Sequence, residues 1–331
     1  MERFALAAAV VLGFALTAAL CSLFVPLRRV LERREQNQQP AQSEQPRPAP
    51  LRAPLWGGLC AAAGTVAAVG VGWLAACVGQ PELLGSEGRL MTRLLTALAG
   101  SLAFGAVGLA EDLARMRSPA ALGLRRDVRL LLEALAAAFV LLLLQAAGCL
   151  PRGLDVPGAG YVLLGSAVPF LWAVLMVALA ECARIAERDE GTVCGAAFVA
   201  MLALMMAEAG LGVPGLAVLP GALAGALVAL GLWAFPPARL GVGCCGSLLA
   251  AGAIGCIPLS LDMTSLTVPL ALPFWAAGGL LAAQLLGAKR TGKPLRCWVK
   301  KHKMSPETVF LCSFALSAVG YVLALALLRW C

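Results

Sequence analysis

The stretch Gly108–Glu133, GLAEDLARMRSPAALGLRRDVRLLLE, places two adjacent acids and five arginines between two long apolar runs. The adjacent acids are Glu111 and Asp112. So many charges in a strongly apolar chain are costly unless they face water or a charged ligand. We therefore expect the other charged clusters of the chain to meet this stretch on one side of a membrane.

The composition indicates a membrane protein. Hydrophobic residues make up 60% of the 331 residues, charged residues make up 13%, and the mean hydropathy is +0.86. Apolar segments of about 20 residues, the length that crosses the hydrocarbon core as a helix, recur from end to end. The short alternating segments of a strand barrel are absent, and a backbone in lipid must satisfy its own hydrogen bonds. We predict an all-α polytopic membrane protein with a single transmembrane domain over residues 1–331.

Hydropathy predicts about ten transmembrane helices. They cover residues 4–26, 55–78, 90–110, 130–148, 160–180, 192–209, 214–234, 246–261, 266–287 and 308–328. Most basic residues fall in alternate loops, so the positive-inside rule predicts that these loops are cytoplasmic and that both termini lie outside. The same loops would contact anionic membrane lipids. Residues 32–54 are rich in Gln and Pro, which predicts a flexible cytoplasmic loop.

Five cytoplasmic elements are predicted to converge. They are Glu111–Asp112 with Arg115 and Arg129, Glu181–Gly191, Gly243–Ser247, Thr291–His302, and Gly57–Gly58. Carboxylates at helix ends suit Mg²⁺, and lysines and arginines around them suit a phosphate or diphosphate. An ordinary salt-bridged helix face also explains the spacing of Glu181, Arg184 and Glu187. Glu133 lies one turn inside the fourth predicted span. It is interpreted either as a functional acid or as an ion-pair partner of Arg129 at i−4.

Several motifs occur in the order in which one bacterial family has them. Pro54–Gly58 is similar to that family's TPTMGG, Gly108–Arg115 to G-x-x-DDYxK, and Gly123–Glu133 to GLSARQKLLLQ. Glu181–Thr192 stands where NAVNLTDGLDGL is expected, Gly243–Ser247 where GDTGS is expected, and Thr291-Gly-Lys293 with His302 follows the TGKR…HHH loop. The chain thereby resembles the phospho-N-acetylmuramoyl-pentapeptide transferases, the peptidoglycan branch of the polyprenyl-phosphate N-acetylhexosamine-1-phosphate transferases.

The resemblance implies transfer of a phospho-sugar from a UDP-linked donor to undecaprenyl phosphate, for peptidoglycan precursors, at the cytoplasmic face of the bacterial inner membrane. It implies that Glu111 and Asp112 are catalytic. It implies the substrate-binding residues Arg115, Arg129, Glu181, Arg184, Lys293 and His302. It implies Mg²⁺ as cofactor, with Asp112, Glu187 and Glu190 as its ligands. A homodimer is also expected, and no nucleic acid is expected among the partners.

Some positions depart from the family pattern. Cys244 stands where the family has a metal-binding Asp, and a thiol is a soft ligand that substitutes poorly for a carboxylate on Mg²⁺. The sequence therefore leaves a second hypothesis open, a catalytically inactive paralogue that serves as a structural or regulatory membrane partner. A transporter or channel is less favoured, because the intramembrane acids are few (Glu133 and Glu208) and no pair of broken helices recurs in matching halves.

Overall fold

The structure is a computed structural model. It describes residues 2–38, 56–79, 88–117, 123–151, 153–156, 160–163, 165, 167–187, 191–213, 215–235, 239–286 and 305–330. The described residues are mostly helical, which confirms the prediction of an all-α polytopic membrane protein.

The helices follow one another along the chain with short connections where these are described. They are α1 (Glu2–Gln38), α2 (Gly57–Gly79), α3 (Gly88–Arg117), α4 (Arg126–Ala146), α5 (Ala167–Ala186), α6 (Thr192–Gly210), α7 (Val218–Ala234), α8 (Gly243–Ser260), α9 (Thr267–Leu270), α10 (Leu272–Leu286) and α11 (Pro306–Trp330). A 3₁₀ turn at Thr264–Leu266 precedes α9.

Seven of the described helices contain a segment long and apolar enough to cross a membrane. These segments are Leu6–Val25, Gly57–Ala75, Leu90–Arg117, Ala167–Ala186, Thr192–Gly210, Gly243–Ser260 and Glu307–Leu328. Helix α7 is apolar as well, but shorter. The chain is therefore a multi-pass membrane protein, while the count of ten spans and the outside location of both termini remain predictions.

Helix α8 is the centre of the bundle. All of its residues are buried, and α3 packs along it over most of its length. Gly, Ala, Cys and Ser supply most of its sequence, GCCGSLLAAGAIGCIPLS, so neighbouring backbones approach closely, as is usual where helices associate in lipid. The same close approach joins α1 to α7, where Gly13 lies against the backbone of Ala222 and Gly225 against that of Val10.

The predicted fifth span, 160–180, begins seven residues too early. Helix α5 begins at Ala167, and the residues before it form an antiparallel hairpin of β1 (Gly153–Val156) and β2 (Gly160–Leu163). Tyr161 and Val162 favour extended backbone. Gly165 has φ +59°, a left-handed conformation that an α-helix does not contain, so α5 begins only after it. Hydropathy alone could not separate this apolar strand from the helix that follows it.

The predicted flexible loop, 32–54, differs at its start. Helix α1 continues to Gln38, so residues 32–38 are helical. Leu31, Glu32, Arg33 and Gln36 are good helix formers, which favours extension of the helix beyond the apolar segment. Residues 39–54 lie outside the described residues, so that part of the loop remains a prediction.

Candidate functional site

The N-terminus of α8 is where several helices meet. Gly243 begins this helix with φ +72°, a backbone conformation that favours glycine. A Cβ atom on Gly58 of α2 would overlap the backbone of Gly246, and one on Gly108 of α3 would overlap the carbonyl of Cys244. The N–H of Gly57 also donates a hydrogen bond to the carbonyl of Gly241 at 3.2 Å. Glycines at three motifs therefore let α2, α3 and α8 come together at one end of the bundle.

Asp112 caps α8 from the neighbouring helix α3. Its Oδ1 accepts a hydrogen bond from the backbone N–H of Cys244 at 3.0 Å, and its Oδ2 accepts one from the N–H of Cys245 at 2.9 Å. The residue is 1% exposed. The first N–H groups of a helix have no partner within the helix and carry its positive dipole end, so they offset part of the cost of burying a carboxylate there.

Arg115 lies among three carboxylates. Its Nη2 donates a hydrogen bond to Oε1 of Glu111 at 2.7 Å, one helical turn earlier on α3. Its Nη1 lies 3.8 Å from Oδ1 of Asp112 and also 3.8 Å from Oε2 of Glu187, just after α5. The guanidinium therefore lies within ion-pair distance of all three carboxylates.

Arg129 extends the network to α4 and α5. Its Nε donates a hydrogen bond to Oε1 of Glu181 at 2.8 Å and lies 3.9 Å from Oε1 of Glu133. Its Nη1 lies 3.7 Å from Oε1 of Glu111, which links this part to Arg115. Arg184 donates a hydrogen bond to Oε2 of Glu181, as the helix-face spacing predicted.

Together these residues form what we term the charge cluster, in which carboxylates outnumber guanidiniums. The five carboxylates and three guanidiniums are Glu111, Asp112, Glu133, Glu181, Glu187, Arg115, Arg129 and Arg184. Oε2 of Glu111 and both carboxylate oxygens of Glu133 are buried without a hydrogen-bond partner among the described residues.

Among the described residues, the charge cluster does not present the set of Mg²⁺ ligands that the resemblance implies, and the third expected ligand, Glu190, lies outside them. Within the described part of the chain, no three His, Cys, Asp or Glu residues are placed to hold a metal ion. Both oxygens of Asp112 are engaged by α8, and the Arg115 guanidinium lies between Asp112 and Glu187. The Cys244 thiol lies 4.0 Å from Oε2 of Glu187, and Mg²⁺ takes hard oxygen ligands rather than sulfur.

Four of the five elements predicted to converge are brought together by these contacts. They are Glu111–Asp112 with both arginines, the Glu181 segment, Gly243–Ser247 and Gly57–Gly58. The fifth element, with Lys293 and His302, lies outside the described residues, as does Glu190. The sequence did not reveal the cap on Cys244 and Cys245, because its donors are backbone groups that any residue type would provide.

Two comparisons with known proteins agree with the resemblance predicted from the motifs. The family model for glycosyl transferase family 4 matches residues 94–262, about half of the chain. The phospho-N-acetylmuramoyl-pentapeptide-transferase of Desulforudis audaxviator (strain MP104C) is 32% identical over 170 residues. That match covers 48% of this chain and spans about half the length of the curated relative, 50%. The family match includes Glu111, Asp112, Glu181 and Cys244.

Proposed function

The chain belongs to glycosyl transferase family 4, and on that basis we propose that it is a membrane phospho-sugar transferase of the phospho-N-acetylmuramoyl-pentapeptide transferase type. The proposed donor is a UDP-linked sugar, and the proposed acceptor is undecaprenyl phosphate. The proposed setting is peptidoglycan precursor synthesis at the cytoplasmic face of the bacterial inner membrane, in a homodimer.

One observation carries this proposal, the buried charge cluster at the N-terminal end of α8. Charged side chains are rare in membrane-spanning segments, and where they gather they usually mark a functional site. Here Glu111 of α3, Arg129 of α4 and Glu181 of α5 come from three helices and lie in contact through ion pairs. The inactive-paralogue hypothesis gains no support from the comparisons.

The proposed reaction exchanges one phosphorus–oxygen bond for another. An oxygen of the acceptor phosphate forms a bond to the β-phosphorus of the donor. The bond from that phosphorus to the oxygen bridging the two phosphates breaks, and UMP leaves with the electron pair. Such a step needs positioning and neutralisation of the phosphate charge more than covalent chemistry from the protein.

Arg115 is the guanidinium best placed to meet the diphosphate. Its side chain is 20% exposed, against 9% for Arg129 and 10% for Arg184. A guanidinium binds phosphate oxygens in a bidentate manner. Glu111 accepts a hydrogen bond from the guanidinium of Arg115, and Glu181 accepts one from that of Arg129, which holds both guanidiniums in place. We further propose that Lys293 and His302 contact the donor, as the resemblance implies.

For Asp112 we propose a role other than the catalytic one that the resemblance implies. Since both of its oxygens accept N–H groups of α8, we propose that it is a positioning residue that fixes the start of α8 against α3. The proposed step is not routed through a metal ion, because the donor set around Asp112 does not suit Mg²⁺.

Formation of the lipid product tests the proposal. Purified protein in detergent is mixed with undecaprenyl phosphate and either UDP-MurNAc-pentapeptide or UDP-GlcNAc, and the lipid extract is analysed by mass spectrometry. We expect undecaprenyl-diphospho-sugar from the first donor, and a loss of at least about 100-fold in rate for Arg115→Gln. Product from the second donor alone would change the proposed substrate.

A buried acid far from the cluster supplies the matched control. Glu208 lies near the other end of α6, about 24 Å along the helix from Thr192. We expect Glu208→Gln to retain the parent rate. No lipid product from the parent, beside an active family enzyme, would reject the transferase activity and favour the inactive paralogue.

A further inference from the structure

A positively charged group lies within ion-pair distance of both acids that a bridging metal ion would need. Nη1 of Arg115 is equidistant from Oδ1 of Asp112 and Oε2 of Glu187, at 3.8 Å from each. The same guanidinium is anchored by its hydrogen bond to Glu111 at 2.7 Å. A cation placed between Asp112 and Glu187 would therefore lie against this guanidinium and be repelled by it.

The atoms around this point also suit a guanidinium better than a divalent metal. Asp112 directs both oxygens at the N–H groups of Cys244 and Cys245. A metal ligand at Asp112 would have to compete with these bonds. Cys244, whose N–H donates to Asp112, has a fully buried thiol. Mg²⁺ and Mn²⁺ prefer carboxylate and water oxygens in octahedral geometry.

Among the described residues, the buried carboxylate oxygens of the charge cluster that lack a hydrogen-bond partner belong to side chains almost closed to solvent. They are Oε2 of Glu111 and both oxygens of Glu133, in residues that are 2% and 0% exposed. Mg²⁺ gives up its water molecules reluctantly and usually keeps several of them. These acids also lie 3.7 Å and 3.9 Å from the guanidinium of Arg129.

We propose that Arg115 takes the place of a divalent metal ion between Asp112 and Glu187, so that the cation of this site is a fixed guanidinium and the acids bind no metal there. The part of the inference that concerns turnover rests on the proposed function, in which Arg115 neutralises the diphosphate. The binding statement itself does not depend on turnover. A fixed guanidinium cannot be removed by a chelator, whereas a bound metal ion can.

Mn²⁺ serves as the probe, because its free aqua ion gives an electron paramagnetic resonance signal that disappears on binding. The full chain is purified in detergent, freed of any histidine tag, treated with EDTA, desalted and titrated with Mn²⁺. We expect no saturable site with a dissociation constant below about 1 mM, the weak end of the range for protein sites for divalent cations. Cys244→Ser, the matched neutral control, should behave in the same way.

A double variant tests whether removal of the guanidinium creates a metal site. Arg115→Gln combined with Cys244→Asp removes the guanidinium and supplies a hard oxygen ligand, so we expect it to gain one saturable Mn²⁺ site. If this double variant elutes as folded protein and still binds no Mn²⁺, the assignment to Arg115 is wrong. If the double variant does not fold, the Mn²⁺ titration of the parent protein still decides whether these acids bind a metal ion.

Saturable Mn²⁺ binding by the parent that is lost in Glu187→Gln would overturn the inference. Binding that persists both in Glu187→Gln and in Asp112→Asn would not involve this pair of acids, and the assignment to Arg115 would then stand for the pair alone. UMP release gives a second readout. EDTA would remove an essential metal ion and the rate would collapse, whereas a guanidinium stays in place, so we expect EDTA to change the rate by less than about twofold. If the parent releases no UMP at all, the proposed function fails, and the Mn²⁺ titration still decides this inference.

Discussion

Arg129 donates a hydrogen bond from Nε to Oε1 of Glu181 at 2.8 Å, although the two residues are 52 positions apart in the sequence. The bond ties the start of α4 to the end of α5, and Arg184 bonds the other oxygen of Glu181. Residues in such a network are strongly coupled, because removing one of them leaves the charge of its partner uncompensated in a partly buried place.

The Arg129–Glu181 bond predicts non-additive stability. We expect Arg129→Met and Glu181→Met each to lower the free energy of unfolding by about 2 kcal/mol, the contribution of a charged hydrogen bond. The double variant should lose clearly less than the sum of the two. The measurement is a double-mutant cycle by thermal unfolding in detergent. Arg126→Gln, an exposed change on the same helix, is the control, and additive losses would show that the two residues are not paired.

The cap on α8 predicts a local effect of Asp112→Asn. An asparagine offers one carbonyl oxygen and points its amide hydrogens at the second N–H, so one hydrogen bond to Cys244 or Cys245 is lost. Amide exchange in a peptide covering residues 243–249 should become faster by at least about tenfold. Hydrogen-exchange mass spectrometry measures this, with a peptide from α7 as internal reference. Equal exchange in parent and variant would contradict the cap.

Two glycines of α2 predict opposite outcomes for the same substitution. The Cβ of Gly58→Ala would overlap the backbone of Gly246 and Cys245, so we expect a loss of about 2 kcal/mol or more from overpacking. Gly70, in the same helix, has open space around its Cα. Gly70→Ala should be neutral or stabilise the protein by about 0.5–1 kcal/mol through helix propensity. Thermal unfolding of both variants tests whether α2 and α8 touch at Gly58.

The unpartnered oxygens of Glu133 predict that its charge is not needed for stability. Glu133→Gln replaces a fully buried carboxyl by a neutral group of the same shape, so the variant should be at least as stable as the parent. Glu181→Gln, which weakens two hydrogen bonds from arginines, should be less stable. A Glu133→Gln variant that unfolds more readily than Glu181→Gln would mean that the ion pair of Glu133 with Arg129, at 3.9 Å, stabilises the protein more than the two hydrogen bonds of Glu181.

The sequence predicted which segments meet, but not the atoms that pair. Alternation of apolar spans and basic loops places the ends of α3 and α5 and the starts of α2, α4 and α8 on one side of the membrane, and the structure brings these ends into contact. The local pair Glu181–Arg184 followed from helical spacing. The long-range bond from Arg129 to Glu181 did not, since spacing favoured Glu133 as the partner of Arg129.

Other features lay beyond the reach of hydropathy. Strand β2 before α5 is as apolar as a helix, so only Gly165 and the β-favouring residues of this strand distinguish it. The position of Arg115 between Asp112 and Glu187 depends on how α3 and α5 pack, which one sequence does not specify. The predicted roles of Lys293, His302 and Glu190 stay predictions, because these residues lie outside the described part of the chain.

The most direct test of the central claim is UMP release by the purified chain in detergent. The donor is UDP-MurNAc-pentapeptide, the acceptor is undecaprenyl phosphate, and each substrate is also omitted in turn. The account predicts UMP release that requires both substrates, persists in EDTA and falls by at least about 100-fold in Arg115→Gln. No release from the parent, while a family enzyme is active in the same detergent, would contradict the proposed transferase activity.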